Sequence, residues 1–222
     1  MLLAIDTSTA QMGLAAYDGA QVLAEMAWTN RQFHTVELAP STAGLLARCG
    51  LTMEAVTALG VAIGPGSFTA LRVGLSFAKG LALARRLPLV GIPTLDVVAA
   101  AQPVSGLPLV ATLQAGRGRL AVGWYAASEN GWQAQGPAKV ETVDSLAEQI
   151  QNPTIVCGEL NAEERQRLAR KRVNVVLMTA ANSVRRPAIL AELAWARWQA
   201  GQVDDLSSLA PIYLHAAEPI PG

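Results

Sequence analysis

The chain has 222 residues, 51% hydrophobic and 15% charged, enough for one large domain or two small ones around a real core. Seventeen basic residues balance seventeen acidic ones, so it lacks the basic excess of a protein that grips RNA unaided. Two cysteines without CxxC spacing suggest reduced thiols in the cytoplasm. Two histidines all but exclude a histidine-based zinc site, and no apolar run reaches the roughly 18 residues of a membrane span.

The opening Met1-Leu2-Leu3-Ala4-Ile5-Asp6 has no basic leader and reads as a first strand over residues 2–7. A polar turn, 8–11, leads to a second strand over 12–17. Asp18-Gly19 is a hairpin signal, and 21–28 is a third strand. Asp6 therefore sits at the end of a strand, in Asp6-Thr7-Ser8-Thr9. That turn either satisfies its own backbone through short polar side chains or holds a ligand. A helix to about Cys49 follows, stopped by Gly50, with Pro40 in its first turn or at a kink. His34, with no acid or second ligand beside it, reads as a capping or packing histidine.

Residues 58–63 predict a strand that Gly64, Pro65 and Gly66 end; Ser67 or Thr69 then caps a helix running to about Leu87. Strand, glycine turn and helix start make either a sharp corner or an anion site with amides pointing outward. The missing Gly-Lys-Ser/Thr rules out a Walker loop. On this helix Phe68, Leu71, Leu75, Ala78 and Ala82 form one apolar stripe, and Val73, Phe77, Leu81 and Ala84 a second. Arg72, Ser76, Lys79 and Arg86 form the polar line. The second stripe faces either another helix of the same domain or a partner protein, and a partner is the expectation.

A parallel strand over 89–92 and a helix over 94–101 complete the first half, and 102–108 reads as a linker. The second half repeats the order: strands over 109–114, 120–126, 132–135 and 138–142, a helix over 143–150, then strand 154–157, helix 161–171, strand 173–177 and a helix over 187–199 with proline at its start. Gly116-Arg117-Gly118 is a hairpin turn or a phosphate cradle. The basic run from Arg165 through Arg172 reads as a solvated helix end.

Four blocks resemble the bacterial TsaB (YeaZ) family: Ile5-Asp6-Thr7-Ser8-Thr9, His34-x-x-x-Leu38-x-Pro40, the long Gly64-Pro65-Gly66-Ser67-Phe68-Thr69 block with its helix, and Pro211-Ile212-Tyr213-Leu214. The likeness is strong over 1–101, looser over 102–200, and returns near the end. It implies an α/β, two-lobed actin/Hsp70-like (ASKHA) fold, with a well-formed lobe over 1–101 and a reduced one over 102–222 whose last segment packs back on the first. It implies a non-catalytic subunit for threonylcarbamoyladenosine beside the tRNA anticodon. Such a subunit pairs with and activates a TsaD-like catalytic paralogue, with a TsaE-like ATPase joining, self-association when alone, and tRNA met only through the complex. The implied interface is His34, Leu38, Leu45, Arg72, Leu75, Ser76, Ala78 and Lys79, where Leu75→Glu or Ala78→Arg is expected to abolish pairing and spare the fold. Asp6, Ser8, Thr9, Gly64, Gly66 and Ser67 become a vestigial nucleotide site, with no metal and with ATP or ADP only at a complex interface. The departures agree with a non-catalytic part: the relatives' metal histidines are replaced by Thr94 and Val98, and the second-lobe turn is Gln114-Ala115-Gly116-Arg117-Gly118 without its acid. The alternatives from the residues alone are an actin-fold ATPase or small-molecule kinase using Asp6, and a metallopeptidase.

Overall fold

The computed structural model describes residues 1–30, 34–171 and 173–214. The Arg31-Gln32-Phe33 approach to the first helix, Arg172, His215 and the end of the chain lie outside the described residues. Two compact units result: Met1–Val97 with Arg185–Ile212, and Val98–Val184 with Tyr213 and Leu214. Residues 185–212 group with the first unit.

In the first unit β1 (Leu2–Asp6), β2 (Gln11–Tyr17) and β3 (Val22–Thr29) form an antiparallel meander. β4 (Ala58–Ala62) and β5 (Leu89–Ile92) add in parallel to give the order β3-β2-β1-β4-β5. The central strands β1 and β4 are buried on both faces, which is why they read as unbroken apolar runs rather than alternating ones. Successive side chains point to opposite faces. Leu3 and Ile5 therefore join Leu59, Val61 and Leu89 under α1 (His34–Arg48) and α2 (Phe68–Arg85). Leu2 and Ala4 join Ala58 and Val90, in the cluster that holds Leu190, Ala191 and Ala194 of α6 (Pro187–Gln199). Pro187 opens α6, where its missing N–H costs nothing. A short helix, α3 (Thr94–Ala100), ends this part of the chain. Pro40 lies inside α1 rather than in its first turn.

The second unit is built on the sheet order β11-β10-β6-β7-β8, from β6 (Leu109–Gln114), β7 (Leu120–Ser128), β8 (Gly131–Ala134), β10 (Thr154–Gly158) and β11 (Val175–Leu177), with β9 (Lys139–Glu141) also paired to β7. Helices α4 (Val143–Gln149) and α5 (Ala162–Ala169) cover one face, placing Leu146, Ala147, Ile150 and Leu168 against Val110, Val122 and Val156. Asn161 and Glu164 form a capping box at the start of α5. Gly116-Arg117-Gly118 is a hairpin turn, closed by Ala115 N–H to the Arg119 carbonyl and Arg119 N–H to that of Gly116. Among the described residues no helix is long and apolar enough to cross a membrane.

Candidate functional site

The turn after β1 is organised by its own short polar side chains. Asp6 Oδ1 accepts from the Ser8 amide at 2.8 Å, and Thr9 Oγ1 accepts from the Gln11 amide at 3.1 Å. Thr7 Oγ1 donates to the carbonyl of Ala70 on α2 at 2.6 Å. The loop before α2 closes on this turn: the Ser67 amide donates to the Ser8 carbonyl at 2.7 Å. Glycine is required at two points of that contact. A Cβ at Gly66 would lie 2.1 Å from the Ser8 oxygen, and one at Gly74 would lie 2.3 Å from Thr7 Oγ1. Thr94 completes the knot, meeting Ser8 Oγ at 2.8 Å, accepting from the Gly64 amide at 3.0 Å and donating its own amide to the Gly64 carbonyl at 2.7 Å.

Asp6, Ser8, Thr9, Gly64, Gly66 and Ser67 lie together, but the amides of Ser8, Gly64 and Ser67 are spent on each other's neighbours. Ser67 holds the N-cap position of α2 without a side-chain cap bond. The remaining valences of the turn go to a residue that sequence reasoning missed, Arg185. Its Nε donates to Asp6 Oδ2, both Nη atoms reach Thr9 Oγ1 at 3.2 Å, and Nη2 donates to the Gln11 carbonyl at 2.7 Å. Asp6 and Arg185 are each 2% exposed. A carboxylate that would suit a metal or polarise a water is therefore engaged on both oxygens and neutralised by the chain's own guanidinium. Among the described residues no three His, Cys, Asp or Glu side chains come together as a metal-ligand set. The only local signal for Arg185 is the Arg185-Arg186-Pro187 run. Arg186 is the more predictable half, an outer pair with Glu25 that also receives the Ala188 amide.

The second candidate feature is the α1–α2 surface, where the structure corrects the expected interface. Leu38, Leu45, Leu75 and Ala78 are 2%, 2%, 5% and 0% exposed and belong to the core. The stripe Leu71, Leu75, Ala78 and Ala82 faces the sheet. The second stripe turns to its own domain: Val73, Phe77 and Leu81 pack half-buried on the cluster that holds Leu38, Leu45 and Leu46 of α1. Leu75→Glu or Ala78→Arg would therefore bury a charge in the core, and unfolding, not lost pairing, is the expected outcome. His34 is also engaged inward, Nε2 lying 3.0 Å from the Thr9 carbonyl. Glu37 accepts from the Trp28 indole at 2.9 Å, which with Asn30 holds its carboxyl below the usual range.

The third side of α2 is open. At about 100° per residue, Phe68, Arg72, Ser76, Lys79 and Leu83 fall within about 40° of one direction. Phe68 and Leu83 are 55% and 68% exposed. Arg72 holds its guanidinium 3.7 Å from the centre of the Phe68 ring. Beside them runs a groove of about 450 Å³ lined by Thr35, Leu38, Ala39, Phe68, Arg72 and Phe77, among others. Of the expected interface, Arg72 and Ser76 are exposed and Lys79 is half-buried.

A 3-2-1-4-5 sheet, a second α/β unit and a strand-end acid in a hairpin define an actin-like fold, here with the hairpin filled from within. ROK hexokinase from Thermus thermophilus shares that fold, at 12% identity and a TM-score of 0.51, over 89% of this chain and 99% of that one. YeaZ from Pseudomonas aeruginosa superposes with a TM-score of 0.78 at 23% identity, over 96% of this chain and 99% of that one. The family model described as TsaD, tRNA N6-adenosine threonylcarbamoyltransferase, matches residues 21–214. The tRNA threonylcarbamoyladenosine biosynthesis protein TsaB of Escherichia coli K12 is 31% identical over 163 residues, 71% of this chain and 70% of the relative. The alignment to the Bacillus subtilis TsaB spans less of each, 45% of this chain and 43% of that protein. The chain belongs to the TsaB/YeaZ family.

Proposed function

We propose that this chain is a non-catalytic docking subunit in the biosynthesis of threonylcarbamoyladenosine in tRNA. It pairs through the outer surface of α1 and α2 with a TsaD-like catalytic paralogue in the cytoplasm and holds that paralogue in its active form. A TsaE-like ATPase joins the pair, and tRNA is met only through the complex. The observation that carries this reading is the open side of α2. Two large apolar side chains, Phe68 and Leu83, stand exposed on a helix whose other two sides are already used by the sheet and by its own domain. The name carried by the Escherichia coli relative supports the pathway.

The filled turn supports the non-catalytic part. An isolated chain that bound a nucleotide through Asp6 would have to break the Asp6–Arg185 pair and leave a buried cation without its partner, a cost of several kcal/mol. On this reading any ATP or ADP binds at a complex interface rather than to the isolated chain. Size-exclusion chromatography of the purified chain with the TsaD-like protein of the same organism tests the docking face. Wild type co-elutes, whereas Phe68→Asp and Leu83→Asp elute apart from the partner with unchanged far-ultraviolet dichroism. Co-elution that survives both substitutions would remove the face from consideration.

A further inference from the structure

The second unit has a cavity that its own packing does not fill. β8 and β9 pair with the same edge of β7, Ala134 opposite Tyr125 and Lys139 opposite Val122. Between those pairs the chain spends four residues, 135–138, against two on β7. It therefore bulges out of the ladder, with the Gln135 amide donating to the Trp124 carbonyl at 2.8 Å. Helix α4 lies over Leu120 and Val122 and ends at Gln149; Trp124, the next residue on that face, is left half-buried. Bulge, helix end and indole border a cavity of about 530 Å³, lined by Trp124, Gln135, Pro137, Lys139, Glu141 and Gln149 among others. Pairing of Leu120 with Glu141 and of Val122 with Lys139 puts both charges on the face that carries Trp124. They stand about 6.6 Å apart along β9. Glu141 Oε2 accepts from Ser145 Oγ at 3.4 Å and from Gln149 Nε2. Among the described residues Glu141 Oε1, Lys139 Nζ and the Trp124 indole N–H have no partner.

We propose that this cavity binds a guanine base, carried by a mononucleotide or by an unstacked residue of a single strand. The α1–α2 face has no part in it. Size excludes the smallest ligands: a free amino acid would leave most of the space empty, whereas a nucleoside-sized ligand fits the usual range of such sites. A half-buried indole at the wall offers a stacking surface for a flat ring. The two charges then select among flat rings. The Watson–Crick edge of guanine runs acceptor, donor, donor, from O6 through N1–H to the N2 amino group. Lys139 donates to O6, and the Glu141 carboxylate accepts from N1–H and N2–H. Adenine and cytosine offer the carboxylate a single amino group with a lone pair beside it, and uracil offers one N–H between two carbonyls. Each of those edges sets an oxygen or nitrogen lone pair against the carboxylate, which repels it. One cation against one acid leaves no net charge to hold a phosphate, so the base is what the site reads.

The test titrates the ¹⁵N-labelled full chain with GMP, AMP, CMP and UMP and follows the indole N–H signals of its five tryptophans by NMR. Trp124→Phe assigns the Trp124 signal by removing it. We expect GMP to shift that signal saturably at about 1 mM or below, with the other three nucleotides at least about tenfold weaker. Glu141→Gln, which keeps the shape and exchanges a carboxylate oxygen for a donor, is expected to weaken GMP about tenfold and to erase the preference over AMP. Lys139→Gln is expected to weaken GMP about threefold or more. Both positions lie at the surface of the unit, and unchanged amide spectra away from the cavity show that the variants fold. Single-stranded UUGUU and UUAUU distinguish the two sources: tighter binding of UUGUU than of GMP assigns the site to a guanosine within a strand, and equal or weaker binding assigns it to the free nucleotide. No saturable shift of Trp124 with GMP or UUGUU overturns the inference. So does an equal response to GMP and AMP, or GMP binding that is unmoved by both Glu141→Gln and Lys139→Gln.

Discussion

Asp6 and Arg185 are 179 positions apart in the chain, and each is almost wholly removed from water. Removing one member strands the other, so Arg185→Ala is expected to cost about 3–5 kcal/mol in urea unfolding. Exchanging both for apolar residues of similar size should cost much less than the two single changes added together. A loss below about 1 kcal/mol for Arg185→Ala would mean the turn does not depend on the guanidinium. The acid was legible because a carboxylate closing an apolar strand stands out. Its partner was not, since Val184-Arg185-Arg186-Pro187 reads locally as the approach to a helix and burial of one arginine is decided by tertiary packing. Two other side chains carry their own tests. Burial pushes the Cys157 thiol up to about 12, while Cys49 is half-exposed. Iodoacetamide at pH 8 should modify Cys49 alone in the folded chain and both after unfolding. The Ser207 and Ser208 hydroxyls and amides lower the Asp205 carboxyl from 3.8 to about 2. Because the folded value is the lower one, its contribution is intact above about pH 4 and is lost as pH falls towards 2, which amide shifts of Ser207 and Ser208 would follow.

Helix α2 has three sides with three destinations, and only their existence could be read from the sequence. Apolar spacing places Phe68, Leu71, Leu75, Ala78 and Ala82 on one stripe and Val73, Phe77, Leu81 and Ala84, of which Ala84 is exposed, on another. Nothing in the spacing says which stripe meets the sheet, which meets α1 and which meets solvent. Two apolar stripes exceed what one sheet requires, so the second predicts either a partner or another helix of the same domain. The first unit uses both, since α1 packs alongside α2 with Leu38, Leu45 and Leu46. Phe68, counted with the core stripe, is instead 55% exposed because it opens the helix beyond the edge of that packing. The two kinds of position should separate cleanly in thermal unfolding. Leu75→Glu and Ala78→Arg are expected to lose more than about 3 kcal/mol, whereas Arg72→Glu or Leu83→Asp should stay within about 0.5 kcal/mol of wild type.

For the whole molecule, the succession of strands and helices was legible almost element by element, because the glycine and proline breaks fall where the chain turns. The return of α6 to the first unit was not: its apolar residues suit any sheet face, and only Leu190, Ala191 and Ala194 against Leu2, Ala4 and Ala58 show which one they cover. That return also delivers Arg185 into the first turn, so one late segment both covers a sheet face and fills the place where an actin-like ATPase would need a free acid. Calorimetry of the isolated chain with ATP and magnesium is therefore expected to show no saturable heat; saturable binding abolished by Asp6→Ala would restore the ATPase reading.

In the proposed function a catalytic partner docks on the outer surface of α1 and α2. Hydrogen–deuterium exchange of the chain, alone and with its TsaD-like partner, addresses it most directly. Slowed exchange is expected in peptides covering residues 34–48 and 68–86, with residues 98–184 unchanged. Slowed exchange confined to residues 98–184, with both helices unaffected, would contradict it.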